Sequence, residues 1–136
     1  MSKVKVAAIQ MRCVNSIEEN LINAEKKVRE AAGMGAQIIL LPELFEREYF
    51  CQQRRYDFYQ YATPVMENAG VQMGMGLAKE LGVVLPISFY EREGNNLYNS
   101  IACIDGDGSL LGVYRKTHIP DDHYYQEKFY FTPGDT

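Results

Sequence analysis

The chain has 136 residues, room for one domain or for one piece of a larger one. Its 46% apolar and 24% charged residues are those of a globular chain and exclude disorder or a collagen-like structure. Fourteen Lys and Arg against eighteen Asp and Glu give a net charge of −4 with the cations dispersed, which argues against counterion-displacing nucleic-acid binding.

No apolar run approaches the roughly 20 residues that span a bilayer, and the N-terminus lacks the long apolar segment of a secretory signal. Lys3 to Gln10 reads as a buried strand. Ser16 with Glu19 forms a capping box, and Ile17, Leu21, Ala24, Val28 and Ala31 lay one apolar stripe along the helix that follows. Gly33 and Gly35 can end that helix in a left-handed turn, and Gln37 to Leu41 is a second apolar strand stopped by Pro42. A helical crossover of this length predicts parallel strands.

Glu43 to about Tyr61, rich in Tyr, Phe, Arg and Gln, reads as a loop with one helical turn or more. Pro64 to Leu81 returns to a helical pattern that Gly82 ends. Val83 to Phe89 is a third strand, in which Pro86 predicts a bulge or an edge position. Leu97 to Ile104 and Leu110 to Tyr114 flank Asp105-Gly106-Asp107-Gly108, a hairpin turn between antiparallel strands. The aromatic run from Phe129, ending in Pro133-Gly134-Asp135-Thr136, completes no further element, so a fragment of a longer domain is expected.

Some patterns carry no chemistry. Asp105 to Ser109 begins like a calcium loop, but loop positions six and twelve hold Leu110 and Lys116 instead of Gly and Glu. The two Gly-Met-Gly triplets do not stand between a strand and a helix, where glycines cradle phosphates. His118 and His123 with Asp121 and Asp122 lack a third metal ligand at suitable spacing. Cys13, Cys51 and Cys103 form neither a CxxC pair nor a disulfide framework, which fits a reducing, cytoplasmic compartment.

Three stretches are harder to dismiss. In Ile38-Ile39-Leu40-Leu41-Pro42-Glu43-Leu44-Phe45-Glu46 a carboxylate stands just past a parallel strand, where open α/β sheets gather their catalytic groups, and its Leu and Phe neighbours predict partial desolvation; on spacing alone a surface acid ending a strand is the commoner reading. In Val113-Tyr114-Arg115-Lys116-Thr117-His118-Ile119-Pro120 a lysine follows a strand; it reads either as a group that holds the oxyanion of an acyl transfer or as half of an exposed Arg-Lys pair. In Tyr125-Gln126-Glu127-Lys128-Phe129-Tyr130-Phe131 a second acid is set among aromatics; alone it reads as a solvated helix face.

Together with the opening Val-Ala-Ala-Ile-Gln-Met, these stretches resemble the nitrilase, or carbon–nitrogen hydrolase, superfamily over the whole chain and in the same order. The resemblance implies an α/β fold, the N-terminal portion of an α-β-β-α sandwich, with residues 1–136 an incomplete hydrolase domain. It implies Glu43 as general base and acid, Lys116 as the oxyanion holder and Glu127 as an additional acid that fixes their geometry. The nucleophilic cysteine of the family follows a further strand beyond the Pro-Gly-Asp segment, and none of Cys13, Cys51 and Cys103 matches it. Within the superfamily, Tyr49-Phe50-Cys51-Gln52 and the stretch from Tyr125 to Thr136 resemble the amidases that act on N-carbamoylputrescine, which implies its cleavage into putrescine, carbon dioxide and ammonia. Tyr49 and His118 are the substrate-binding candidates. No metal or organic cofactor, no nucleic acid and no membrane is implied; the partners are a small-molecule substrate and further copies of the full enzyme in a homo-oligomer. The rival readings are an omega-amidase or β-ureidopropionase type of amidase, or an inactive binding subunit if 136 residues is the mature chain.

Overall fold

In the computed structural model, which describes residues 1–135, strands and helices alternate in the expected order. Strand β1 (Val6–Ala8) leads to helix α1 (Ile17–Gly33) and strand β2 (Ile38–Leu40). Helix α2 (Ala69–Leu81) precedes three longer strands, β3 (Leu85–Glu93), β4 (Asn96–Ile104) and β5 (Leu110–Arg115). Ser16 starts α1 as foreseen, its hydroxyl accepting from the Glu19 N–H at 3.3 Å. The left-handed residue after that helix is Gly35, at φ +88°, while Gly33 is still helical. α2 begins later than its sequence pattern: Val65–Glu67 is a separate 3-10 turn, and the Asn68 side chain caps the helix by accepting from the Val71 N–H at 2.9 Å.

β1 and β2 pair in parallel, Val6 opposite Ile38, as a helical crossover requires. One further parallel rung joins β2 to the next segment: Val84 N–H donates to the Gln37 carbonyl and Ile39 N–H to the Val84 carbonyl. The following rung would need an N–H from residue 86, which is Pro86, and the parallel pairing stops there. Pro86 therefore lies inside β3, in register with Cys103 of β4, with its missing donor on the side away from that strand. β3, β4 and β5 form an antiparallel sheet, and the Asp105–Ser109 turn joins the last two strands as expected. β3 continues four residues past the expected Phe89, to Glu93.

The two helices cover one face of these strands. Ala24 and Val28 of α1 and Val71, Leu77 and Ala78 of α2 pack with Ile39, Leu85, Ile87, Phe89, Ala102 and Ile104 in the main core. A second cluster surrounds Phe50, whose ring lies 5.0 Å from Tyr130, 5.3 Å from Tyr90 and 5.8 Å from Tyr61. This aromatic packing gives the Glu43–Tyr61 stretch its order, including 3-10 turns at Phe50–Gln52 and Tyr56–Tyr61. The other face of the strands is bare and apolar. Strand periodicity turns Val6, Ile38, Leu40 and Tyr114 onto it, and Val6 is 67% exposed. The expectation of a buried first strand thus holds for neither Val4 nor Val6, both exposed, and only Val6–Ala8 is paired. One helical layer and one strand layer are present, the first α and β layers of the expected sandwich.

Candidate active site

Glu43 sits past the end of β2, after Pro42. The turn it begins is held at three points. Leu44, at φ +52°, donates its N–H to the buried Ser88 hydroxyl at 2.9 Å. The buried Asn20 amide donates to the Glu46 carbonyl at 2.8 Å. The Glu46 carboxylate accepts from the Gly70 N–H at 2.7 Å and from the Asn68 amide at 3.2 Å. Leu44 and Phe45 turn into the two cores, so they do not desolvate Glu43 as expected: its side chain is 48% exposed.

Lys116 follows β5, and strand alternation separates it from Arg115. Arg115 bonds the buried Glu91 carboxylate through Nε at 2.6 Å and Nη2 at 3.2 Å and also pairs with Glu93. Lys116 emerges on the opposite side, its N–H bonded to the Asn99 carbonyl at 2.8 Å. Its ammonium donates to Glu43 Oε1 at 3.1 Å and to Glu127 Oε2 at 2.9 Å. The two acids, 84 positions apart, thus meet on one cation.

Glu127 opens a 3-10 turn, Glu127–Phe129, and is buried. The reading of a solvated helix face fails because the neighbouring Tyr130 and Phe131 are anchored in the Phe50 cluster and carry the turn inward. Buried charge requires partners, and Glu127 has two: Lys116 and the Tyr49 hydroxyl, which donates to Oε1 at 2.6 Å. Burial opposes the Lys116 ammonium, but its bonds to Glu127 and Glu43 prevail and hold it above its ordinary range. Burial, then the Glu127 carboxylate, pushes the Tyr49 phenol far up, so it remains a donor.

A cavity of about 420 Å³ opens over this group, lined by Glu43, Tyr49, Lys116, Pro120, Tyr125 and Glu127. A second, of about 200 Å³, reaches the Glu43–Lys116 pair from the bare strand face between Leu40, Ile101 and Tyr114. A larger one, about 570 Å³, shares Tyr49 but contains none of the three charged groups.

Four of the five candidates from the sequence, Glu43, Tyr49, Lys116 and Glu127, come together. His118 does not join them; it is exposed and lines neither cavity at the ion pair. Cys51 is fully buried among aromatics, and burial followed by the nearby Glu127 charge pushes its thiol up, opposite to what a nucleophile needs. Cys13 and Cys103 are half-buried. Sequence reasoning missed Asn99, buried on β4, whose amide donates to Glu43 Oε1 at 2.6 Å. An amide within a strand has no local signature; only the pairing of β4 with β5 brings it to the site.

Residues 5–136 match the model of the carbon–nitrogen hydrolase family. The chain belongs to that family. This carbon–nitrogen hydrolase chain is 55% identical over 135 residues to an N-carbamoylputrescine amidase of Oryza sativa subsp. japonica, covering 99% of this chain and 45% of the relative. It is 48% identical over 134 residues to a citrullinase of Francisella tularensis subsp. tularensis, covering 98% and 47%. The crystal structure of a carbon–nitrogen hydrolase from Helicobacter pylori G27 superposes with a TM-score of 0.90 at 31% identity, over 97% of this chain and 45% of that one. The hydrolase chain thus spans about half the length of these relatives.

Proposed function

We propose that residues 1–136 are the N-terminal portion of an amidohydrolase that converts N-carbamoylputrescine and water into putrescine, carbon dioxide and ammonia. In this reading the domain is incomplete, and its nucleophilic cysteine lies beyond residue 136. The observation that carries the proposal is the Lys116 ammonium bridging Glu43 and Glu127 at 3.1 and 2.9 Å at the mouth of one cavity.

The chemistry follows from these groups. A thiol is only a few per cent ionised near pH 7, so Glu43 takes its proton as the sulfur attacks the ureido carbon. Lys116 holds the oxyanion of the tetrahedral intermediate. Collapse breaks a carbon–nitrogen bond, and Glu43 returns the proton to the departing amine. Water, deprotonated by Glu43, then attacks the thiocarbamate carbon; the carbon–sulfur bond breaks, the sulfur regains its proton from Glu43, and the carbamic acid released decomposes to the second amine and carbon dioxide. Glu127, held by Tyr49, keeps Lys116 in place throughout. Tyr49 is also a wall of the cavity, beside Tyr125 at 6.1 Å between ring centroids.

The cavity favours a cationic or neutral tail over an anionic one. The part of it that this chain builds is lined by two carboxylates and one lysine, with aromatic faces that attract an ammonium group. Citrulline carries the same terminal ureido group, and the 48% identity to a citrullinase makes it the second candidate. We further propose a cytoplasmic location, which three unpaired cysteines support, and a homo-oligomer, testable by light scattering of the full enzyme. The deciding experiment is ammonia release by the full-length protein from N-carbamoylputrescine, citrulline, N-carbamoyl-β-alanine and a simple ω-amide. The expected result is a kcat/KM for N-carbamoylputrescine at least about tenfold above the others; a higher value for citrulline or the anionic substrates would reassign the substrate.

A further inference from the structure

We propose that Asn99 is a positioning residue of the hydrolase, one that selects which oxygen of Glu43 exchanges protons during turnover. The inference rests on the role of Glu43 proposed above. Glu43 Oε1 accepts two hydrogen bonds, from Asn99 Nδ2 at 2.6 Å and from Lys116 Nζ at 3.1 Å. No described residue is hydrogen-bonded to Oε2.

The two donors differ in what they can fix. An ammonium carries three rotatable donors on a flexible stem and can follow either oxygen of an exposed carboxylate. The Asn99 amide cannot follow. Its residue is 3% exposed within a strand paired on both sides, and its carbonyl is tied to the Lys116 N–H. Asn99 therefore pins Oε1 with its side chain while its main chain fixes the base of the lysine. Oε1, already doubly engaged, is the poorer proton acceptor, and Oε2 is left for the thiol, the leaving amine and water. Being neutral, the amide orients the carboxylate without discharging it.

The test compares Asn99→Ala and Asn99→Asp with wild type in the full-length protein, assayed with N-carbamoylputrescine. Both side-chain changes leave the main-chain bond to Lys116 available. Asn99→Ala should lower kcat by roughly 10- to 100-fold with KM changed by less than about threefold. Asn99→Asp is isosteric but sets a second carboxylate against Glu43. Two such groups share one proton as the pH falls, and the protonated partner donates as the amide did. Its kcat relative to wild type should therefore rise at least about fivefold between about pH 8 and about pH 6. A purely structural role would give no such recovery. Variants with kcat within about twofold of wild type, or an Asn99→Asp loss equal at every pH, would overturn the assignment while leaving the functional reading intact. A wild-type enzyme inert on every ureido and amide substrate would overturn both.

Discussion

An ammonium has three N–H donors, and Lys116 commits two of them, to Glu43 and Glu127, which leaves one for the oxyanion of the proposed reaction. Removing one such donor typically costs about 10²- to 10³-fold in kcat, so Lys116→Ala in the full-length enzyme should lose at least about 100-fold, read by ammonia release. Glu43→Gln cannot exchange a proton and should lose about 10²- to 10⁴-fold with its melting temperature nearly unchanged, because the side chain is half-exposed. The pH dependence of stability follows from Lys116. Its folded ammonium is held above the ordinary value of 10.5, so its contribution is complete below that value and fades as pH rises through the folded one. Urea unfolding of wild type and Lys116→Met should therefore differ by a constant amount from about pH 7 to about pH 10, and the gap should narrow above about pH 10.5.

At the scale of elements, glycines set how closely chain segments approach, and two of them give testable consequences. A Cβ at Gly74 of α2 would lie 2.7 Å from Ile87 Cγ1 and 3.0 Å from Ile104 Cδ1. Gly→Ala within a helix gains about 1 kcal/mol of propensity, but overpacking a close-packed core costs about 1–3 kcal/mol. Gly74→Ala should therefore lower the urea midpoint despite the better helix former. Gly134 donates its N–H to the Lys116 carbonyl, and a Cβ there would overlap the Arg115 carbonyl. Gly134→Ala must displace the end of β5 or the segment against it; kcat should fall as Lys116 shifts, and an unchanged kcat would show that the lysine does not depend on this contact.

The sequence was informative about elements in proportion to how local their causes are. The Ser16 cap, the α1 stripe and the Asp-Gly turn arise within a few residues, and each appears where its pattern lies. The extension of β3 to Glu93 was not legible, because Glu91, Arg92 and Glu93 look like loop residues until Arg115 and Ser100 bond Glu91 and Thr63 bridges the strand. Glu43 and Lys116 were legible as groups just past strand ends. The burial of Glu127 and the contact of Asn99 with Glu43 were not: one depends on aromatics from distant segments, the other spans 56 positions.

For the molecule as a whole, the bare strand face governs behaviour. Val6, Ile38, Leu40 and Tyr114 are all exposed on it, an apolar surface of the kind that drives association. The 136-residue chain alone should form oligomers or aggregates at concentrations of about 10–100 μM, seen as a rising light-scattering mass. Val6→Lys with Ile38→Lys should suppress this, and a wild-type chain that stays monomeric over that range would contradict it.

The alternation of Arg115 and Lys116 has a consequence for how β5 finds its place. A strand displaced by one residue would turn Lys116 towards Glu91 and Arg115 towards the Glu43 side. Both acids would still face a cation, so charge barely penalises the misthreaded hairpin. Volume does: the displacement would drive Tyr114 into the space that Val113 fills opposite Ala102. Discrimination between the correct and the slipped form thus rests on the shapes of the side chains that β5 sets against the core, Val113 and Leu110, rather than on its charges.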